Sequence, residues 1–272
     1  MSPTFGLIVV GDEILSGRRA DKHLAKVIEL LGARGLQLAW AEYVGDEPAR
    51  ITAVLRRAFA SGDVVFCTGG IGATPDDHTR ACAAAALGVP LALHPEAQRL
   101  IEQRGEALAR AEARPWEPAS ADNRQRLKMG EFPQGAAIIP NPYNQIPGFS
   151  CAGERGGMVH FVPGFPVMAW PMIESTLDTR YAAHFNRTAW QERSIIVFGA
   201  AEAVLTPLME RIEAGHPGVK VFSLPSVDHP TYGRHIDLGV KGAPEAVAAA
   251  FADLKAGLAP FGLRCGPEIV RP

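Results

Sequence analysis

The sequence predicts an α/β fold, a mostly parallel sheet with helices on both faces, followed by a small α+β domain. Three observations lead there. Short apolar runs, at residues 5–10, 64–68 and 158–162, each end at a Gly, Asp or Pro. Between such runs lie segments whose apolar residues recur at helical spacing, which makes right-handed β-α-β crossovers and a parallel sheet the economical arrangement. Beyond residue 188 the order of patterns changes to β-α-β-β-α, typical of helices laid on one face of an antiparallel sheet.

The first strand, residues 5–10, is almost entirely apolar, and Gly11 ends it. Leu24, Val27, Ile28 and Leu31 then mark a helix between Asp21 and Arg34, with Gly35 as its stop. A strand is expected at 36–44, a helix at 48–60 and a third strand at 64–68. A glycine-rich turn leads from there into an Ala-rich helix expected to begin near Pro75 and to end near Leu87. Residues 95–113 read as a polar helix broken by Pro115 and Pro118. Strands follow at 136–140 and 158–162, separated by an ordered Pro- and Asn-rich loop from Asn141 to Gly148. Pro163-Gly164-Phe165-Pro166 then turns into a helix reaching about Arg180. The domains are expected to be 1–187 and 188–272, the second with strands at 195–198, 219–223 and 235–240 and helices at 204–213 and 244–258.

Charge and cysteine usage exclude several classes. Lys plus Arg number 27 against 29 Asp plus Glu, so the net charge of −2 offers no general attraction for nucleic acid or an anionic membrane. Any phosphate specificity must be local. The four cysteines form no Cys-x-x-Cys pair, and they read as reduced or buried thiols rather than a zinc or redox motif. No apolar run approaches the roughly 20 residues of a membrane span, and no secretion signal is legible, so a cytoplasmic protein is expected.

Acidic pairs stand after each of the first three strands: Asp12 and Glu13, Asp46 and Glu47, Asp76 and Asp77. Each pair alone suits helix capping. Three pairs at the carboxyl ends of parallel strands, where open α/β sheets bind ligands, suit a divalent-metal or general-base site equally well. Gly69, Gly70 and Gly72 would let backbone amides approach a phosphate closely, or would serve only a tight turn. The segment lacks the third glycine of the dinucleotide fingerprint, and Gly11 to Arg18 lacks the Gly-Lys-Ser/Thr of a P-loop. Carboxylates beside a phosphate cradle repel their ligand unless a cation bridges them, which is the arrangement of metal-assisted pyrophosphate cleavage. His78 reads as a helix-start residue, and Arg124, Arg126 and Lys128 as a solvated basic face or a phosphate contact from across the cleft.

Four segments together resemble the molybdopterin-binding (MoaB/Mog-type) domain family. They are Gly11-Asp12-Glu13-Ile14-Leu15-Ser16-Gly17, Val44-Gly45-Asp46, the run from Thr68 to Arg80, and Pro163-Gly164-Phe165-Pro166. Within that family the chain is most similar to the competence/damage-inducible protein A (CinA) group, in its short stand-alone branch. The resemblance spans residues 5–182, and Phe222-Ser223-Leu224-Pro225 with the flanking patterns resembles the group's small K-homology-like module. It does not extend to the amidohydrolase domain of longer members, so nicotinamide mononucleotide deamidation is not implied. The second domain lacks a Gly-x-x-Gly loop, which ranks RNA binding low.

The resemblance implies a three-layer α/β domain that binds a nucleotide or pterin phosphate, with homo-oligomers, dimers first, as the usual assembly. It implies metal and catalytic roles for Asp46, Asp76 and Asp77, served by Mg2+, Mn2+ or Co2+. Gly11, Asp12, Glu13, Gly69, Gly70, Gly72, Thr74, Asn141, Pro147 and Gly148 are the implied ligand contacts. The implied activity is ADP-ribose pyrophosphatase; the alternatives are molybdopterin binding without hydrolysis, or a disabled member kept for assembly. Two departures matter: Ala73 replaces a family proline, and Gln145 and Ile146 replace smaller residues, which predicts a bulkier pocket floor.

Overall fold

The computed structural model describes residues 3–186 and 190–271. The chain divides into two compact units, Met1–Phe185 and Asn186–Pro272. The boundary expected at residue 188 lies outside the described residues.

The first unit contains strands β1 (Phe5–Val10), β2 (Leu38–Val44), β3 (Val64–Thr68), β4 (Leu91–Leu93), β5 (Glu131–Pro133), β6 (Ala137–Ile139), β7 (Gly148–Ala152) and β8 (Met158–Val162). Its helices are α1 (Asp12–Leu15), α2 (His23–Gly32), α3 (Pro48–Ser61), α4 (Thr79–Leu87), α5 (Pro95–Ala111), α6 (Ala121–Leu127) and α7 (Pro166–Arg180). The main sheet runs β2-β1-β3-β8-β7-β6. Its first four strands are parallel, and β7 and β6 add an antiparallel edge.

Alternation along the buried strands sorts the core into two layers. Ile8, Val10, Val65, Cys67, Val159 and Phe161 face α3 and α4. Phe5, Leu7, Val9, Val64 and Phe66 face α2 and α7. The helices begin and end where the local chemistry says they should. Asp21 accepts the N–H groups of His23 and Leu24 at 2.8 and 3.0 Å to start α2. Pro48 opens α3, and Gly62 closes it in the left-handed conformation.

Two expectations are corrected. Helix α4 begins at Thr79 rather than near Pro75, because residues 74–78 form a turn in which the Asp77 N–H donates to the Thr74 carbonyl and the His78 N–H to that of Asp76. The stretch between the strands expected at 136–140 and 158–162 holds a further strand, β7, whose Phe149 stacks between Phe132 and Phe161 at 4.6 and 4.4 Å.

The second unit contains β9 (Gln191–Phe198), α8 (Glu202–Gly215), β10 (Lys220–His229), β11 (Gly233–Gly242), α9 (Pro244–Leu258) and β12 (Arg264–Arg271). Its antiparallel sheet runs β10-β11-β9-β12. Both helices pack on one face, where Val197, Leu238 and Val240 meet Leu205, Leu208, Phe251 and Leu254. Strand β12 was not expected, since Gly266 and Pro267 break its alternation and its pairing with β9 shifts register between Cys265 and Glu268. Among the described residues no helix is long and apolar enough to cross a membrane. Cys67, Cys82 and Cys151 are buried free thiols and Cys265 is exposed.

A cleft at the carboxyl ends of the parallel strands

A cleft of about 510 Å³ opens in the first unit beyond the ends of β1, β2, β3 and β8. Three loops from the sequence reading meet there: the glycine-rich turn after β3, the Asn141 loop, and the turn at Pro163, Gly164 and Phe165. Ligands in open α/β sheets bind at this position because the loops diverge and helix N-termini converge.

The glycine-rich turn is built around close backbone approaches. Gly70 adopts φ +66°, and a Cβ there would meet the Thr79 hydroxyl at 2.2 Å. Thr79 is wholly buried and donates its hydroxyl to the Gly69 carbonyl at 3.0 Å, while its N–H donates to the Gly70 carbonyl at 3.0 Å. Arg80 is 7% exposed and lies under the turn, donating to the carbonyls of Gly72, Lys128 and Glu131. Burial lowers its pKa, with the carboxylates of Glu131 and Asp77 opposing. With the carbonyls tied down, the N–H groups of Gly70, Ile71, Gly72 and Ala73 take no acceptor from the described residues, and all four residues line the cleft. Two buried side-chain atoms of the lining also lack partners among the described residues: Thr68 Oγ1 and His23 Nδ1.

The acidic groups separate by role. Asp12 and Asp46 are locked to each other: the Asp12 N–H donates to Asp46 Oδ2 at 2.9 Å, and the Asp46 N–H to Asp12 Oδ1 at 3.2 Å. Together with Glu13 and Asp76 they surround an acidic depression at the rim, to which Arg18 and Arg19 also contribute. Burial pushes the Asp46 carboxyl up; its hydrogen bond from Asp12 N–H opposes this, and the charges of Asp12, Glu13 and Asp76 add to it. Asp76 is fully exposed. Asp77 turns inward, accepting the Thr74 N–H at 2.8 Å and the Thr74 hydroxyl. Glu47 pairs with Arg50 away from the depression. Among the described residues no three His, Cys, Asp or Glu side chains form a ready metal cage.

Of the remaining expected contacts, Gly11, Thr74, Asn141 and Pro147 line the cleft. Asn141 spends its side chain on the loop itself, donating to Asn144 Oδ1 and the Ile146 carbonyl and accepting the Tyr143 N–H. Ile146 lines the cleft beside Asn144, and Gln145 takes φ +65°. Gly148 does not line it; it starts β7 beneath Phe161 and Met172. Arg124 and Arg126 donate within their own helix region, to the Ala119 carbonyl and Asn123 Oδ1, and neither lines the cleft. The reading of the sequence missed His23, Arg19, Thr68, Met129 and Met168, all of which line it.

Residues 6–182 match the family described as "Probable molybdopterin binding domain". The chain belongs to that family. A CinA-like protein of Anaeromyxobacter sp. is 32% identical over 75% of this chain and 48% of that protein. The chain thus spans about half the length of that relative. A protein of Pyrobaculum calidifontis is 31% identical over 93% of this chain and 94% of its own length. Among solved structures, CinA from Thermoplasma acidophilum, itself described as of unknown function, superposes with a TM-score of 0.55 at 28% identity, covering 64% of this chain and 97% of that one. The molybdopterin-binding domain supplies the mostly parallel sheet, and the cleft stands on it.

Proposed function

We propose that the cleft binds a small phosphorylated ligand, a nucleotide or pterin phosphate, and cleaves a phosphoanhydride in it with the help of a divalent cation. The observation that carries this reading is the run of four unpartnered N–H groups at Gly70, Ile71, Gly72 and Ala73, next to the buried Thr68 hydroxyl. Successive backbone N–H groups in a turn make an anion-binding concavity, and Arg80 beneath adds a fixed positive charge.

The acidic rim fits a cation. Burial holds the Asp46 carboxyl up, the like charges of Asp12, Glu13 and Asp76 add to it, and a divalent ion relieves that repulsion. Asp46 and Asp76 are the carboxylates proposed to hold it, with phosphate oxygens and water completing its shell, since Asp77 is engaged by Thr74. Such an ion, when bound, neutralises phosphate charge and makes a water molecule more acidic. The chain's own groups then orient the anhydride on the turn, and the proton released as water adds across the P–O–P bond passes to a carboxylate of the rim. ADP-ribose would yield AMP and ribose 5-phosphate.

One observation favours a second reading, pterin or nucleotide binding without hydrolysis: Asp77, one of the three carboxylates implied for catalysis, is engaged by Thr74. Product chromatography over ADP-ribose, FAD and NAD with Mg2+, Mn2+ and Co2+ separates the two. Metal-dependent cleavage that disappears in Asp76→Ala supports the hydrolase. Ligand-dependent thermal stabilisation without turnover on any dinucleotide supports binding alone.

A further inference from the structure

Helix α6 reaches the glycine-rich turn through one side chain. Gln125, which lies outside the lining of the cleft, donates from its amide Nε2 to the Ala73 carbonyl at 2.6 Å. A carbonyl only accepts, so the amide nitrogen and not the amide oxygen faces it. No other donor from the described residues reaches that carbonyl. The arginines on either side of Gln125 do not share the task, since Arg124 is spent on the Ala119 carbonyl and Arg126 on Asn123 Oδ1. Helix α6 is itself anchored. The Ser120 hydroxyl accepts the Asn123 N–H at its start, and the buried Asn123 side chain donates to the Glu117 carbonyl. Trp116, just before, lies against Gly105 of α5.

The contact matters because a trans peptide unit points its C=O and its N–H in opposite directions. Each tied carbonyl of the turn therefore aims the next residue's N–H the other way. Thr79 ties the carbonyls of Gly69 and Gly70, and Arg80 ties that of Gly72, which together aim the N–H groups of Gly70, Ile71 and Ala73. Gln125 ties the following unit, Ala73–Thr74, whose N–H goes to Asp77 Oδ2 at 2.8 Å. That unit is gripped from both sides, by a side chain 52 residues away and by one three residues away. Released from Gln125, it is free to turn its carbonyl into the cleft that Ala73 lines, and an acceptor there repels an anion.

We infer that Gln125 is a positioning residue for phosphate binding, its amide holding the Ala73 carbonyl away from the cleft so that the turn meets the anion with N–H groups. The inference rests on the phosphate-binding reading and adds to it a residue that neither lines the cleft nor belongs to the turn.

Calorimetry and amide nuclear magnetic resonance of the full chain test it, with inorganic pyrophosphate as the probe. Three proteins are compared: the unsubstituted chain, Gln125→Met, which keeps the length and loses the donor, and Gln125→Lys, which restores a donor. Gln125→Met should bind pyrophosphate about two- to tenfold more weakly, the scale of one hydrogen bond. In the free Gln125→Met protein the Thr74 amide should exchange faster and shift upfield as its bond to Asp77 loosens, while the Thr79 amide, bonded to the Gly70 carbonyl, keeps its signal. Gln125→Lys should return the Thr74 signal toward its original position. An unchanged affinity or an unchanged Thr74 amide in Gln125→Met would overturn the inference and leave the phosphate reading standing. Equal loosening of Thr74 and Thr79, which marks a general softening of the turn, would do the same, as would a Thr74 signal that Gln125→Lys does not restore. An unsubstituted chain that binds no pyrophosphate would overturn the phosphate reading itself, and the positioning role with it.

Discussion

Asp12 and Asp46 hold each other's backbone, each carboxylate accepting the other residue's N–H, at 2.9 and 3.2 Å. The pair ties the loop after β1 to the loop after β2, and Gly45 makes room for it: a Cβ there would sit 2.3 Å from Asp12 Oδ1. Fold and acidity are therefore separable at this point. Asp46→Asn keeps an oxygen acceptor and should change the thermal midpoint little, while cation-dependent turnover falls by at least about 100-fold. Gly45→Ala should instead cost about 0.5–2 kcal/mol, the scale of a lost side-chain cap, because Asp12 must swing away. Urea denaturation beside a turnover assay distinguishes the two effects.

Arg80 supports the glycine-rich turn from below. Arg80→Met would remove the Arg80 donor from the carbonyls of Gly72, Lys128 and Glu131, of which Lys128 keeps the Glu131 N–H. Unpaired buried acceptors cost about 1–3 kcal/mol each before relaxation, so a loss of a few kcal/mol in urea is expected. Amide exchange at Thr79, whose N–H donates to the Gly70 carbonyl, should accelerate as well, since the turn loses its anchor.

Thr68 predicts the opposite trade. Its hydroxyl is buried without a partner among the described residues, so Thr68→Val should leave the free protein equally stable or slightly more stable. The same change should weaken phosphate binding several-fold, measured by calorimetry with pyrophosphate.

A buried chain of polar groups gives the fold an acid limit. His160 lies between the Ser150 and Tyr181 hydroxyls, each at 2.7 Å, and burial, with Arg180 nearby, pushes its pKa down to about 3. The neutral ring donates from one nitrogen and accepts at the other. An unfolded histidine takes its proton near pH 6.5, so between about 6.5 and 3 the unfolded chain binds one more proton than the folded one. Stability from this residue is therefore complete above pH 6.5 and falls by about 1.4 kcal/mol per pH unit below it. Urea midpoints from pH 7 to 4 should show that slope, and His160→Gln should flatten it.

The sequence made the parallel core legible because strands buried on both faces are written as continuous apolar runs and their helices carry strong periodicity. Strand β7 was hidden by Pro147 and Gly148 at its start, and β12 by Gly266 and Pro267 within it, since neither segment alternates. The glycine-rich turn stood out because its residues are contiguous. His23 and Arg80 did not stand out as parts of the cleft, because their partners are remote: Gly164 lies 141 residues from His23, and Lys128 lies 48 from Arg80. Likewise, six acidic residues at three strand ends looked equivalent in sequence, and only geometry turns Asp77 toward Thr74 and Glu47 toward Arg50.

Phosphate binding in this cleft falls to the four N–H groups of Gly70, Ile71, Gly72 and Ala73. Amide nuclear magnetic resonance of the isotope-labelled full chain during a pyrophosphate titration reads those four signals one by one. The four signals should shift together and saturate with a single dissociation constant, and Arg80→Met should weaken the effect. Saturating pyrophosphate that leaves all four unmoved would contradict that assignment.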